Sequence, residues 1–358
     1  MADPESLLSE HGVSDDWLVS NLRQAGVVGE AELVSREAAV IGTGQVGENM
    51  RLSLHWSGPG ANTAPSSLVV KVPSTSEVSR ATSAATRTYV REVGFYRDLQ
   101  AHVDITSPTP YAVTEDREAN RFVLVMEDIA PAVQGDQLTG CSPAEAELAI
   151  VECAKLHGST WGQDELLAFD WLDEATPASA TDRVQLYADL FPGFADRYDG
   201  FLTRDEIEIG RRLGGQLERL ALTKRGARCV AHGDFRLDNL LFGTGPQAPP
   251  ITTVDWQTLT YSYGLNDMAY FISTGLAPEV RRRHESRLLD LYQSVLTDYG
   301  VDLDRDGVVA GYRLGSITGY VMGVIASQIV EQTARGDEMF VAIIRGSASL
   351  MVDLDLEL

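Results

Sequence analysis

The spacing of hydrophobic positions differs between the first part of the chain and the rest. Residues 50–56 alternate apolar and polar side chains, β-branched residues fill Ser67–Pro73, and an apolar run covers residues 121–129. These patterns predict strands of a small sheet. Apolar residues at helical spacing predict helices further along the chain, in residues 84–99, 142–161, 204–222 and 278–296.

The length of the chain, 358 residues, is too great for one ordinary hydrophobic core and predicts two lobes. We place the division near Met126. Residues 1–35 have helical patterns and are expected to form an extension packed on the small lobe. Residues 36–126 then form the small lobe, and residues 127–358 form the larger one.

One segment carries most of the candidate chemistry. Residues 230–242, VAHGDFRLDNLLF, place His232, Asp234 and Asn239 in the spacing H-x-D-x-x-x-x-N, and Asp255 ends the next apolar run. This spacing is typical of kinase catalytic loops. Phosphoryl transfer needs a carboxylate beside the incoming hydroxyl and oxygen ligands for magnesium; Asp234 suits the first role, and Asn239 with Asp255 suits the second. Because these residue types also favour turns, a turn between two strands is the alternative.

A glycine-rich segment precedes the first alternating strand. Gly42, Gly44 and Gly47 have the spacing G-x-G-x-x-G, which dinucleotide-binding folds share. A dinucleotide turn opens a helix, whereas the residues that follow Gly47 predict a strand. The segment therefore predicts a hairpin whose backbone amides lie over phosphates, with an ordinary glycine-rich hairpin as the alternative.

Lys71 lies within the β-branched strand, and Glu92 lies in the helical run at residues 84–99. A lysine among such neighbours is costly to bury unless an anion pairs with it. A strand lysine that binds phosphates and is held by a helix glutamate is a kinase arrangement. Taken singly, Lys71 as an edge lysine and Glu92 as a solvated charge are the alternatives.

Motifs from about residue 40 to about residue 275 resemble the aminoglycoside phosphotransferase and choline kinase superfamily, and within it the ecdysteroid-kinase-like (CHK-like) branch. The matching motifs, in chain order, are KVP, TRTYVREVGFYRDL, FVLVMEDI, HGDFRLDNLLF, VDWQ and NDMAYFI. The resemblance implies an α+β, bilobal protein-kinase-like fold, with a small antiparallel-sheet lobe carrying one main helix and a larger, mostly helical lobe. It also implies ATP and Mg²⁺, and a small-molecule hydroxyl as acceptor.

The resemblance also implies roles for individual residues. Asp234 resembles the catalytic base, Asn239 and Asp255 resemble metal ligands, and Lys71 with Glu92 resembles the pair that positions the phosphates. From its position two residues after Asp234, Arg236 is expected either to reach the γ-phosphate or to pair with Asp238 or a backbone carbonyl. The hairpin with Gly42, Gly44 and Gly47 is expected to bind the same nucleotide, and Glu127 is expected near the adenine, with a solvated strand end as the alternative. His232 and Asp267 resemble residues that brace the loop.

Some segments depart from the protein-kinase pattern. Asp255 is followed by Trp256 and Gln257, so a mobile activation segment is not expected. Pro278 is expected in the first turn of the following helix. An aromatic-rich region is expected to supply the acceptor pocket or to pack within the helical lobe, and it contains Trp171, Tyr187, Phe191, Phe194 and Tyr198.

Composition narrows the classes of partner. The net charge is −23, from 52 acidic and 29 basic residues, so a nucleic-acid partner is not expected. Residues 314–330 are uncharged and are expected to form a buried helix and not a membrane span. Residues 302–307 match the first half of a calcium loop, but Arg313 stands where a glutamate is needed, so an acidic turn is expected.

These observations predict an ATP- and Mg²⁺-dependent phosphotransferase, with a catalytically silent, nucleotide-binding pseudokinase as the alternative. A dinucleotide-binding oxidoreductase is a third hypothesis, disfavoured by the strand after Gly47. Three cysteines without paired spacing and an amino terminus without a signal-peptide pattern indicate a cytoplasmic protein. The acceptor and the oligomeric state are left open.

Overall fold

The computed structural model of the protein describes residues 3–42, 47–223 and 226–358. The chain divides into two compact units. The first comprises Met1–Gln100 with Ser107–Ala130, and the second comprises Ala101–Thr106 with Pro131–Leu358. The change from one unit to the other after Ala130 falls slightly beyond the predicted position near Met126.

Two short helices open the first unit: α1 (Pro4–Glu10) and α2 (Asp15–Gln24). Asp3 and Ser14 cap them by accepting hydrogen bonds from backbone N–H groups in the first turn, which satisfies donors that a helix start leaves open. Their buried leucines belong to the same hydrophobic cluster as Met50 and Val70 of the sheet. The amino-terminal segment is therefore part of this unit's core.

The described part of the first unit contains a five-stranded antiparallel sheet in the order β1-β2-β3-β5-β4. Its strands are β1 (Glu32–Ile41), β2 (Gly47–Ser57), β3 (Ser67–Pro73), β4 (Pro110–Asp116) and β5 (Arg121–Glu127). β1 begins earlier than the lobe start that we predicted at residue 36. β3 lies between β2 and β5, so its backbone is paired on both edges.

The main helix predicted over residues 84–99 is interrupted in the structure. α3 (Glu77–Thr86) ends where Arg87 adopts a left-handed backbone with φ of 57°, and α4 (Thr88–Gly94) then begins. α4 continues into a π-helical turn, Phe95–Leu99. The helix carrying Glu92 is therefore a short segment with a break before it, because a non-glycine residue adopts a conformation that helical spacing cannot reveal.

The second unit is mostly helical, with small sheets that hold its loops. In chain order its elements begin with β6 (Ala132–Gln134), α5 (Pro143–Gly158), α6 (Pro177–Arg197), α7 (Arg204–Ala221), β7 (Cys229–Ala231), β8 (Leu240–Gly243), β9 (Ile251–Thr253) and β10 (Thr260–Ser262). The remaining helices are α8 (Leu265–Gly275), α9 (Pro278–Asp298), α10 (Arg305–Gly315), α11 (Thr318–Ile329) and α12 (Ala334–Asp353). β8 pairs with β6 and β9, and β7 pairs with β10.

Helix starts in this unit follow the sequence signals. Ser142 with Glu145 and Thr203 with Glu206 form capping boxes at α5 and α7. Pro278 occupies the first turn of α9, as predicted. These caps fix where the long helices begin.

The aromatic residues of α6 lie in the core of the second unit. Tyr187, Phe191, Phe194 and Tyr198 all belong to one buried cluster with residues of α11 and α12. Trp171 is also buried. The packing alternative therefore accounts for these side chains.

The uncharged run at residues 314–330 forms the end of α10 and all of α11, with a break between the two helices, and not one helix as predicted. Among the described residues, one helical segment, Arg305–Ile329, has the length and apolar character of a membrane span, and 61% of its most apolar window is buried inside the protein. A helix buried in the core of a protein can have the same length and apolar character. Asp304, in the expected acidic turn, caps α10 by accepting from Gly307 N–H at 2.8 Å.

Candidate active site

Lys71 and Glu92 form a buried ion pair in the first unit. Lys71 lies on the central strand β3 and is 6% exposed, while Glu92 lies on α4 and is 2% exposed. Lys71 Nζ lies 2.6 Å from Glu92 Oε1. The edge-lysine and solvated-glutamate alternatives are therefore wrong, because the strand is central and both side chains are buried.

Of the three predicted glycines, Gly42 follows the end of β1 and Gly47 is the first residue of β2. Gly42 has a left-handed backbone with φ of 73°, and Gly47 opens β2. A Cβ atom on Gly47 would lie 3.1 Å from Lys71 Cε, so this strand start lies close to the lysine side chain. Gly44 lies outside the described residues.

Glu127 lies at the end of β5 in a local backbone arrangement. Its N–H donates to Thr109 O at 2.9 Å, and its Oε2 accepts from Thr109 N–H at 3.3 Å. Asp128 accepts hydrogen bonds from Arg51 at 2.8 and 2.9 Å. The polar end of this strand is therefore held by contacts within the first unit and is not simply solvated, while the proposed place of Glu127 near the adenine stays a prediction.

In the second unit, the loop between β7 and β8 carries His232 and Asp234. Gly233 has φ of 82°, and a Cβ atom there would lie 2.4 Å from Thr258 O, so only glycine fits this turn. His232 Nε2 lies 3.1 Å from the Val254 carbonyl, which can only accept. The proton therefore lies on Nε2, and Nδ1 accepts from Asp234 N–H at 3.3 Å.

Asp267 of α8 holds this loop, as the resemblance implies. Its Oδ2 accepts from His232 N–H at 2.6 Å, and its Oδ1 accepts from Gly233 N–H at 3.0 Å. Both oxygens of this buried carboxylate therefore accept hydrogen bonds from consecutive backbone N–H groups. His232 and Asp267 brace the loop from its two sides.

The Asp234 carboxylate is 17% exposed and accepts hydrogen bonds from three side chains. Arg236 Nε lies 3.0 Å from Oδ1 and 3.0 Å from Oδ2. Asn239 Nδ2 lies 3.0 Å from Oδ2, and the Tyr270 hydroxyl lies 3.2 Å from Oδ1. The loop therefore presents a carboxylate whose orientation is fixed by its neighbours.

Arg236 lies between two carboxylates, because it also pairs with Asp238. Burial would lower the pKa of Arg236, but the charges of Asp234 and Asp238 outweigh burial and raise its pKa. The expected pairing with Asp238 is present, and the additional contact with Asp234 was not predicted. Burial and the adjacent charge of Asp234 raise the pKa of Tyr270 well above its usual range, so this hydroxyl is a hydrogen-bond donor.

Asn239 and Asp255 are brought together by two paired strands. β8 and β9 are antiparallel with Leu240 opposite Thr253, so the start of β8 lies beside the end of β9. Val254 N–H donates to Asn239 O at 3.0 Å, which extends this pairing. Asn239 and Asp255 flank the paired segment.

These two residues supply oxygen ligands of the type that Mg²⁺ prefers. Asn239 Nδ2 donates to Asp234 O at 2.8 Å, so the amide oxygen Oδ1 faces away from Asp234. Asp255 has a left-handed backbone, with φ of 69°, which is uncommon for a residue other than glycine. Such conformations cluster at functional sites. The donor set fits a magnesium ion.

Some residues that hold the loop around Asp234 belong to no motif that was recognised in the sequence. Gln137 is 2% exposed; its Oε1 accepts from Leu237 N–H at 3.1 Å, and its N–H donates to Asp238 Oδ1 at 2.9 Å. His157 lies 3.3 Å from Asp267 Oδ2 through Nε2 and 2.8 Å from the Tyr292 hydroxyl through Nδ1. The only sequence signal for His157 is a polar residue at the apolar end of α5, which must find a partner when buried.

Comparisons with known proteins place the chain in a family and a fold class. A sequence profile of the ecdysteroid kinase-like family matches residues 47–304. This range contains Lys71 and Glu92 of the first unit, together with the loop around Asp234 in the second. No curated protein sequence matches the chain.

Solved structures share the fold. The GDP and kanamycin complex of APH(2")-IIia is 14% identical, with a TM-score of 0.54, and the match covers 96% of this chain and 99% of that chain. The GDP complex of aminoglycoside 2'-phosphotransferase-IIIa is 12% identical, with a TM-score of 0.55 and coverage of 93% and 98%. The gentamicin complex of APH(2")-IIa is 16% identical, with a TM-score of 0.50 and coverage of 94% and 98%.

The likeness to these structures confirms the predicted fold class, which is α+β and kinase-like, with an antiparallel sheet in the first unit and a mostly helical second unit. The range that the profile matches covers most of the chain and includes residues 230–242. The chain therefore belongs to the ecdysteroid kinase-like family.

Proposed function

We propose that the protein transfers the γ-phosphoryl group of ATP to a hydroxyl of a small molecule. The observation that carries this proposal is the loop between β7 and β8, where Asp234 is partly exposed and fixed beside Asn239. Family membership supports the same reaction class. The net charge of −23 makes a nucleic-acid acceptor a poor candidate.

Asp234 is the proposed catalytic base. Its carboxylate orients the acceptor hydroxyl and takes its proton as the acceptor oxygen bonds to the γ-phosphorus and the bond to the bridging oxygen of ADP breaks. Arg236, held against Asp234, places a permanent positive charge beside the base and would offset charge on the transferred group. ADP leaves with the oxygen that joined its β-phosphorus to the γ-phosphorus in ATP.

Asn239 Oδ1 and the Asp255 carboxylate are the proposed ligands of Mg²⁺. When bound, the ion would neutralise charge on the nucleotide phosphates. The backbone hydrogen bond from Val254 to Asn239 keeps the two ligand-bearing segments together. Gln257 Nε2 lies 3.2 Å from Asp255 Oδ2 and orients that carboxylate.

In the first unit, Lys71 is the proposed phosphate-binding cation, and Glu92 fixes its ammonium group. Burying both members of a charged pair this deeply costs free energy of desolvation, which favours a functional explanation for the presence of the pair. Gly42, Gly44 and Gly47 belong to the proposed phosphate-covering hairpin, and Glu127 belongs to the proposed adenine-binding segment.

The proposal is tested with an ATP-consumption screen against a diverse panel of small hydroxyl compounds, with Mg²⁺ present. The expected result is ADP formation that depends on one class of compound. Asp234→Asn, which removes the proposed base, should lose this activity. Asp205→Asn, which changes an exposed residue on α7 in the same way, is the matched control and should behave like the wild type. ATP binding without ADP formation on any compound would contradict transfer and favour the pseudokinase alternative.

A further inference from the structure

Tyr270 places its hydroxyl against the proposed base from a helix that begins well after the catalytic loop. We infer that Tyr270 is a positioning residue for phosphoryl transfer, which holds the Asp234 carboxylate in the orientation that meets the acceptor hydroxyl. The inference rests on the proposed function. Tyr270 belongs neither to the loop motif nor to the proposed metal ligands.

The contacts of Asp234 show why its orientation matters. A carboxylate has about four in-plane lone-pair sites, two on each oxygen. Arg236 Nε is equidistant from both oxygens at 3.0 Å, which places it on the side that the two oxygens share. Asn239 donates a hydrogen bond to Oδ2, and the Tyr270 hydroxyl donates one to Oδ1. Without Tyr270, Oδ1 loses the donor that balances Asn239, and the carboxylate can turn about its bond to the β-carbon.

The ring of Tyr270 is held firmly enough for this role. Tyr270 is 2% exposed and belongs to the buried cluster of the second unit. A Cβ atom on Gly319 would lie 3.0 Å from Tyr270 Cδ2, so α11 packs closely on the ring. α8 also carries Asp267, which binds the loop backbone. One helix therefore fixes both the loop and the side chain of the proposed base.

The hydroxyl can give way when the acceptor arrives. Rotation about the C–O bond moves the hydroxyl proton away from Oδ1 while the ring stays in place, whereas release by Arg236 or Asn239 requires movement of a whole polar group. An acceptor hydroxyl can therefore take over the site on Oδ1 as donor. Because burial and the charge of Asp234 keep the phenol protonated, Tyr270 does not compete as a base.

The test compares Tyr270→Phe with Tyr320→Phe. Tyr320 is also buried in this cluster, but its hydroxyl donates to the Glu206 carbonyl at 2.7 Å, away from Asp234. Each variant loses one hydroxyl and keeps its ring. The assay measures ADP formation from ATP and Mg²⁺, with water as acceptor, and with any hydroxyl compound found in the panel.

Tyr270→Phe should lower kcat about ten-fold and leave the KM for ATP within about two-fold of wild type, since the lost hydrogen bond is to a charged group. Tyr320→Phe should retain the wild-type kcat. In an Asp234→Asn background, Tyr270→Phe should have no further effect on turnover, because both changes act through one carboxylate.

The outcomes separate the two hypotheses. If the wild type turns over ATP faster than Asp234→Asn, and Tyr270→Phe matches Tyr320→Phe, the role of Tyr270 is overturned and the proposed function stands. If the wild type forms no more ADP than Asp234→Asn on water and on every panel compound, the proposed function is overturned and the positioning role is overturned with it. A lower kcat that persists in the Asp234→Asn background also overturns the role.

Discussion

At the scale of single residues, breaking the buried pair of Lys71 and Glu92 should have a large effect on stability. Removing one partner of a buried ion pair leaves an uncompensated charge and costs about 3–5 kcal/mol. Replacing both partners with apolar residues of similar volume is often neutral or stabilising. The pair is therefore costly to break and is not needed to form the sheet.

We predict that Lys71→Met lowers the free energy of unfolding by about 3–5 kcal/mol and that Lys71→Met with Glu92→Leu recovers most of the loss. Urea unfolding measures both. Arg211→Met is the control, because Arg211 and its partner Glu208 are 63% and 56% exposed, and it should cost about 1 kcal/mol or less. Equal losses for the single and double replacements would show that packing, and not the charge, is responsible.

The spacing of HGDFRLDN was enough to place Asp234 and Asn239 as candidates in one short loop, but the hydrogen bond between their side chains was not predicted. Tyr270 could not be found in this way, since it meets Asp234 from 36 residues further along the chain. Arg236 shows the same limit at shorter range. Its possible partners could be named from the sequence, but its contact with both Asp234 and Asp238 depends on the three-dimensional path of the loop.

At the scale of elements, two of the three glycines of helix α7, Gly210 and Gly215, lie in opposite environments. Gly215 is exposed, and a Cβ atom there would meet nothing within 4 Å. A Cβ atom on Gly210 would lie 2.3 Å from the Tyr320 hydroxyl oxygen. The same substitution should therefore have opposite effects at the two positions.

We predict that Gly215→Ala raises the free energy of unfolding by about 0.5–1 kcal/mol, because alanine has the higher helix propensity. Gly210→Ala should lower it by about 1–3 kcal/mol through overpacking against a buried ring. Thermal or urea unfolding of the two variants measures the difference. A stabilising Gly210→Ala would contradict the close approach of α7 and α11.

A second element-scale consequence concerns the end of α12. Burial would raise the pKa of Asp353, but hydrogen bonds from Arg282 and Arg281 outweigh it and hold the pKa below its usual range. Arg281 is 1% exposed, so its charge depends on this partner and on Glu285. A carboxyl with a lowered folded pKa stabilises the protein above its unfolded pKa of about 3.9 and loses that contribution as the pH falls through the folded value.

Asp353→Asn should therefore lower the free energy of unfolding at pH 7. The difference from wild type should shrink as the pH falls below about 4, since both proteins then carry a neutral group at this position. Urea unfolding across this pH range measures it. A difference that is constant with pH would mean that the ion pairs with Arg281 and Arg282 contribute nothing.

The sequence predicted β3 and the starts of α5, α7 and α9 because local signals, β-branched runs, capping residues and Pro278, set them. The break before α4 was missed because Arg87, whose backbone is left-handed there, gives no glycine or proline signal. The break between α10 and α11 was also missed, because an uncharged run does not reveal where a helix ends.

At the scale of the whole molecule, residues with proposed roles occur in each of the two compact units. Lys71 and Glu92 belong to the first, and Asp234, Asn239 and Asp255 belong to the second. The order of these residues along the chain could be predicted from motifs. The acceptor could not, because the aromatic residues of the candidate acceptor region lie in the helical core and carry no recognisable pattern.

Nucleotide binding should stabilise the whole protein in a metal-dependent manner. ATP with Mg²⁺ at about 100 times its dissociation constant should add about 2.7 kcal/mol to the free energy of unfolding. Thermal unfolding measures this as a rise in Tm. Asp255→Asn should lose most of the Mg²⁺-dependent part of the rise, whereas Asp205→Asn should keep it. Stabilisation by NAD and not by ATP would instead support a dinucleotide-binding protein.

The most direct test of the central claim is transfer of radiolabelled γ-phosphoryl from ATP to a hydroxyl compound by the wild type and by Asp234→Ala. The proposed role of Asp234 predicts a labelled product with the wild type and a turnover lower by roughly 10²–10⁴ with Asp234→Ala, while both bind ATP. Full turnover by Asp234→Ala on the same compound would contradict it.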